Sequence, residues 1–138
     1  MSRCWYVVPL LYNRRFKQAW EVIDRWCRDM PEHVWAHGVL SFYYAMHGQK
    51  PESLNLITDA VLSIYRKDAS AILFLASIYA MNGETDEALK WLGYCLDIGC
   101  INYPFQSRLD PYLESIRGDP RFQNLIERVK YEWEHFEV

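Results

Sequence analysis

"YAMNGETDEALKWL", residues 79–92, has a near twin upstream in "YAMHGQKPESLNLI", residues 44–57. Both begin Tyr-Ala-Met, pass one variable residue to a Gly, and continue to a Glu, a small residue and a Leu. A fixed period in the range of about 20 to 50 residues decides the fold before any local reading does. Gly48 and Gly83 lie 35 residues apart, and Tyr44, Ala45, Met46, Glu52, Leu54 and Ile57 fall on Tyr79, Ala80, Met81, Glu87, Leu89 and Leu92. A weaker copy, "RRFKQAWEVI" at residues 14–23, aligns with residues 48–57 at a shift of 34. It places Ala19 on Ser53, Trp20 on Leu54 and Ile23 on Ile57. Arg14 stands where the other copies have Gly, so this copy is degenerate at its turn.

Each unit reads as two helices. Val34, Trp35, Val39, Phe42, Tyr43 and Met46 sit on helical spacings over residues 34–46. Gly48 and Gly83 then occupy the position after a helix end where the backbone turns left-handed, which Gly does without a Cβ penalty. Pro51 suits the first turn of the next helix, where its missing N–H costs nothing. In the other copy Thr85 is expected as an N-cap hydroxyl, with Asp86 and Glu87 in the dipole-positive first turn. The second helices are predicted over about 51–65 and 86–98. Ser53 and Ala60 in one, and Ala88 and Cys95 in the other, are small residues seven apart that let two helices approach closely. One helix pair of this size cannot bury its apolar face alone, whereas stacked pairs bury it continuously.

The chain resembles the tetratricopeptide repeat, a helix–turn–helix unit of about 34 residues. The third copy supplies Leu75, Ala76, Tyr79, Gly83, Ala88, Leu92 and Cys95, and the second supplies Leu40, Ser41, Tyr44, Gly48, Ser53, Ile57 and Ala60. The first keeps Leu10, Ala19, Ile23 and Pro31, with Arg14 for the Gly and Trp26 for the last small residue. The resemblance covers about residues 1–100 and implies an all-α, right-handed α-solenoid of about three repeats (about 1–33, 34–68 and 69–100). Residues 101–138 break the period. There, Asp110-Pro111 and Asp119-Pro120 each pair an N-cap carboxylate with a proline suited to the first helical position. A short helix over about 111–117 and a longer one over about 120–136 follow. The latter carries Phe122, Leu125, Ile126, Val129 and Trp133 as one apolar stripe, which fits a C-terminal cap on an array. This tail is similar to those closing tetratricopeptide arrays at the C-termini of larger bacterial proteins.

Composition narrows the function classes. With a net charge of -3 and no cluster of Lys and Arg, the chain carries no nucleic-acid or membrane-surface footprint. The apolar opening stretch is broken by Pro9 and by Arg14-Arg15, too soon to span a bilayer. A soluble, cytoplasmic protein is expected. Cys4, Cys27, Cys95 and Cys100 lack metal spacing and read as small buried thiols in a reducing compartment. His33 and His37 have the i, i+4 spacing of metal ligands, but "HVWAH" is not HExxH, and both read as structural or adventitious. There is no phosphate loop, no Ser elbow and no Cys with an evident base. No enzymatic activity, metal, cofactor or small-molecule substrate is expected.

Binding remains. In the resembled family the first helices of successive repeats line a concave groove for a peptide or a helix. Carried onto this chain, the groove positions are Val8 and Tyr12, then Trp35, Phe42 and Met46, then Ser70, Leu73, Ser77 and Met81. The positions with which co-chaperone members clamp a C-terminal carboxylate hold Cys4, Val8, Val39, Ser70 and Phe74, so that specificity is not implied. The expected role is a non-catalytic scaffold for a protein or peptide partner. The alternatives are a self-association (dimerisation) module built on Trp5, Tyr6 and Leu10, and a small acidic repeat-containing secretion chaperone.

Overall fold

A computed structural model describes residues 2–100 and 102–137, and the described residues are all helical or loop, with no strand. The chain forms two compact units, Met1–Ile64 and Tyr65–Val138.

The first unit holds α1 (Ser2–Tyr12), α2 (Phe16–Asp29), α3 (Val34–Met46), α4 (Lys50–Asn55) and most of α5 (Asp59–Tyr65). α1 runs through Pro9, whose ring is exposed. α1 packs on α2 and α3, and α3 packs on α4. The core of the unit gathers Val7, Leu10, Leu11, Ala19, Ile23, Trp26, Val39 and Phe42. The second unit holds α6 (Ala69–Met81), α7 (Thr85–Asp97), a π-helical turn (Phe105–Leu109), a 3₁₀ helix (Pro111–Ile116) and α8 (Pro120–Glu134). α6 is apolar around nearly its whole circumference, as suits a helix enclosed by its neighbours. It packs on both α7 and the 3₁₀ helix, and Ser115 of the latter donates to the Ala80 carbonyl at 2.8 Å. Residues 111–134 are therefore integral to the same core as α6 and α7.

The repeated phrase resolves into one turn, built the same way each time. After α3, the Gln49 N–H bonds the Tyr44 carbonyl at 2.9 Å and the Gly48 N–H bonds Ala45 at 3.2 Å, with Gly48 at φ 71°. After α6, Glu84 bonds Tyr79 at 2.9 Å and Gly83 bonds Ala80 at 3.1 Å, with Gly83 at φ 75°. This double bond is the Schellman motif, which satisfies two carbonyls at the helix end. After α1 the same pair forms between Arg15 and Leu10 at 2.8 Å and between Arg14 and Leu11 at 3.0 Å. Arg14 itself sits at φ 58°. The expectation of a degenerate first turn is thus corrected: the letter differs, and the backbone is the same. A side chain held in this region costs about 1 to 2 kcal/mol.

The second unit is closed by caps and clasps. Asp110 accepts from the Tyr112 N–H at 3.0 Å, and Asp119 accepts from the Arg121 N–H at 2.8 Å, as the two Asp-Pro dipeptides predict. Arg121 also reaches Asp86 of α7 at 2.7 Å, while Arg128 reaches Asp97 at 2.8 Å, so α8 is bridged to both ends of α7. Glu84, and not Thr85, is the residue before α7, and its side chain makes no cap bond.

The helix expected over 51–65 is two helices. α4 ends at Asn55 in a tightened turn, with Leu56 bonding Ser53 and Ile57 bonding Leu54. α5 restarts behind Thr58, whose hydroxyl accepts from the Val61 N–H at 3.4 Å. Ala60, aligned with the buried Cys95, is consequently exposed, and Ile57, aligned with the buried Leu92, is half-buried in the break. On α8, Trp133 lies 47% exposed, off the buried stripe of Phe122, Ile126 and Val129.

Candidate partner-binding surface

In the first unit the expected groove residues sit on two packed helices, Val8 and Tyr12 on α1 and Trp35, Phe42 and Met46 on α3. The Tyr12 and Phe42 rings lie 6.4 Å apart and tilted, within the range of favourable aromatic contact. Val8, Tyr12, Trp35 and Met46 are each half-buried, with a packed side and an open side. Phe42 is different. It is fully buried, so it belongs to the core and not to a surface a partner touches.

In the second unit Ser70, Leu73, Ser77 and Met81 form one stripe of α6 at spacings of three and four residues. Ser70 is exposed, and Leu73 and Met81 are half-buried. Ser77 is buried and donates its hydroxyl to the Leu73 carbonyl at 3.1 Å, which satisfies it within its own helix. Two of the nine expected contact residues, Phe42 and Ser77, are therefore corrected to core. The reason is common to both: they lie on the side of their helix that the unit packs upon.

A second surface of the first unit lies outside the expected set. Phe16 and Trp20 on α2 meet Tyr43 on α3 and His47 at its C-terminal end, each pair spaced i, i+4. Trp20 and Tyr43 have ring centroids 5.0 Å apart, Tyr43 stacks on His47 at 4.2 Å, and Phe16 meets His47 edge-on at 5.2 Å. The His47 ring is anchored to the Tyr43 carbonyl through Nδ1 at 2.7 Å. The four rings form a continuous, partly exposed aromatic ridge. Its signal in the sequence is the matched pair of i, i+4 aromatics, one on each helix of a hairpin.

His33 lies against the Trp26 ring at 5.2 Å, and His37 bonds the Pro31 carbonyl through Nε2. Burial draws the His33 imidazole below its ordinary value of 6.5, assisted by nearby positive groups that include His37 and Arg3. Among the described residues no group of three or more His, Cys, Asp or Glu side chains is placed to hold a metal ion. No described helix is long and apolar enough to cross a membrane. The four cysteines are in the thiol form, with Cys95 buried and Cys4, Cys27 and Cys100 half-buried.

No family model, no curated protein and no solved structure matches the chain.

Proposed function

We propose that this chain is a non-catalytic binding module of the tetratricopeptide type, whose helix pairs stack as a right-handed α-solenoid and present their first helices to a protein or peptide partner. One observation carries the reading: Arg14, Gly48 and Gly83, spaced 34 and 35 residues apart, each take the same left-handed turn with the same double hydrogen bond. A period expressed in backbone geometry as well as in letters favours a repeat architecture. The contact residues under this reading are the half-buried Val8, Tyr12, Trp35, Leu73 and Met81, with Met46 and the exposed Ser70. Aromatic and Met side chains with one open side suit apolar anchors on a partner.

Selection of a displayed library of linear peptides against the whole chain tests this. Enriched peptides should carry apolar anchors, and Trp35→Ala should weaken their binding at least about tenfold, as a central aromatic anchor does. Trp20→Ala, on the aromatic ridge, should leave it within about threefold. Loss of binding with Trp20→Ala and not with Trp35→Ala would move the site to the ridge. Absence of any enriched peptide would remove the reading.

Self-association is the second reading, favoured by Trp5 and Tyr6, which are 63% and 61% exposed on α1. Large exposed aromatics side by side on one helix are a common mark of an interface. Sedimentation equilibrium over a wide concentration range decides it, since a concentration-independent monomer leaves no dimer to explain.

A further inference from the structure

The left-handed turn that ends α7 does something the turns after α1, α3 and α6 do not. Gly99 sits at φ 94°, and the Cys100 N–H bonds the Cys95 carbonyl at 3.0 Å. This is the same Schellman closure as in the other three. In it the residue beyond the turn and the residue five before it lie side by side and characteristically touch. Here both are cysteines, held next to one another by that backbone bond.

A third group points at the pair. Gln106, fully buried in the π-helical turn, donates through Nε2 to the Cys100 carbonyl at 3.1 Å and to Cys100 Sγ at 3.2 Å. The carbonyl can only accept, so it fixes which end of the amide faces the sulfur. Short π-helical insertions are themselves frequent at functional sites. The two sulfurs are not equivalent. Cys95 is buried and within reach of the Ala69 carbonyl at 3.5 Å, whereas Cys100 is half-exposed. The neighbouring Cys95 thiol, reinforced by the Gln106 amide, holds the Cys100 thiol below its ordinary value against the opposing effect of burial. The nearness of Cys100, together with burial, pushes Cys95 up. A half-exposed thiol held low beside a buried one held high is the arrangement for attack followed by resolution.

We propose that Cys95 and Cys100 form a hydroperoxide-sensitive dithiol, a reversible disulfide site with Cys100 as the attacking sulfur and Cys95 as the resolving one. The Cys100 thiolate attacks the terminal oxygen of a hydroperoxide. The S–O bond forms, the O–O bond breaks, and the alcohol (or water) leaves with a proton, so Cys100 becomes a sulfenic acid and the peroxide is reduced by two electrons. Cys95 Sγ then attacks the Cys100 sulfur. The S–S bond forms, the S–O bond breaks, and hydroxide departs as water with the Cys95 proton. Two thiols and one hydroperoxide thus give one disulfide, one alcohol and one water. A dithiol reductant reverses it by exchange.

The test uses the whole chain, reduced, then treated with hydrogen peroxide and digested with trypsin under non-reducing conditions. Cys95 and Cys100 fall in one peptide, residues 91–108, while Cys4 and Cys27 fall in others. The expected result is loss of two hydrogens from peptide 91–108, restored by dithiothreitol, with Cys4 and Cys27 still open to alkylation. Cys95→Ala should convert the same dose into oxygen addition at Cys100 without the cross-link. Gln106→Met should raise the pH midpoint of Cys100 alkylation in the unoxidised protein. Oxygen addition at Cys100 of the unaltered chain with no cross-link would overturn the proposal. Oxidation of Cys4 or Cys27 at least as fast as that of Cys100 would do the same. The first readout needs no variant, so it decides the matter even where a substitution fails to fold.

Discussion

Ser41 and Ser53 hold each other's helices by reciprocal hydrogen bonds: each hydroxyl donates to the other residue's backbone carbonyl at 2.8 Å, and the two oxygens lie 3.1 Å apart. Both residues are fully buried where α3 and α4 touch. Thirty-five residues on, the equivalent positions are Ala76 and Ala88, also buried, on α6 and α7. The same close approach is thus achieved once with a polar clasp and once with methyl groups.

That difference predicts a double-mutant cycle. Ser41→Ala or Ser53→Ala alone should cost about 1 kcal/mol, because each breaks a buried bond and strands part of its partner's capacity. The double substitution should cost clearly less than the sum, since an all-apolar contact has nothing left to satisfy. Urea unfolding of the four proteins measures it, and strictly additive losses would dismiss the clasp.

Arg14 holds a backbone conformation that suits Gly. Arg14→Gly should stabilise the fold by about 1 kcal/mol. Conversely, Gly83→Ala should destabilise it by about 1 kcal/mol, although no atom lies within 4 Å of the place a Cβ would take. Thermal melts of both variants check this. A neutral Gly83→Ala would show that the turn tolerates a side chain and that Arg14 is unstrained.

Gly93 is the opposite case. It lies inside α7 with helical dihedrals, and an added methyl would meet Leu125 Cδ2 of α8 at 3.8 Å, an ordinary contact. Gly93→Ala should therefore stabilise the second unit by about 0.5 to 1 kcal/mol through helix propensity alone. A loss of stability in calorimetry would mean that α8 packs closer on α7 than this distance implies.

His33 makes stability fall on acidification. Its folded-state value lies below the ordinary 6.5 because burial disfavours the charged ring. Above 6.5 neither state binds the proton and His33 contributes no slope. As pH falls through 6.5 the unfolded chain takes up a proton that the folded chain refuses, so stability drops until the folded value is passed. Unfolding free energy measured from pH 7.5 downward should show this decline, and His33→Gln should flatten it. An equal slope in both proteins would assign the decline to other groups.

What can be read from the letters follows the physics that each letter carries. Gly48, Gly83 and the two Asp-Pro dipeptides announce backbone geometry directly, and they stand where expected. Arg14 shows the limit of that code, because the hydrogen bonds of a turn can impose φ 58° on a residue that does not favour it. The break between α4 and α5 is hidden because Leu54, Ile57 and Val61 continue the apolar spacing of a helix through it. Only Thr58, capping Val61, marks the restart, and a lone Thr is a weak signal amid apolar residues. Contact residues are harder still. Helical spacing identifies the face that carries Phe42 and Ser77, but burial depends on which neighbours cover that face, and those neighbours are distant in sequence.

The enclosure of α6 between α7 and the 3₁₀ helix bears on how recognition would be distributed between order and entropy. A helix covered on nearly all sides exchanges its amide hydrogens only when its whole unit opens. Side chains carried by α6, Leu73 and Met81 among them, are consequently held in place before any partner arrives. On the proposed reading, the ordering cost of an encounter at that helix falls on the partner alone, and tight binders there should be those that arrive already stiff.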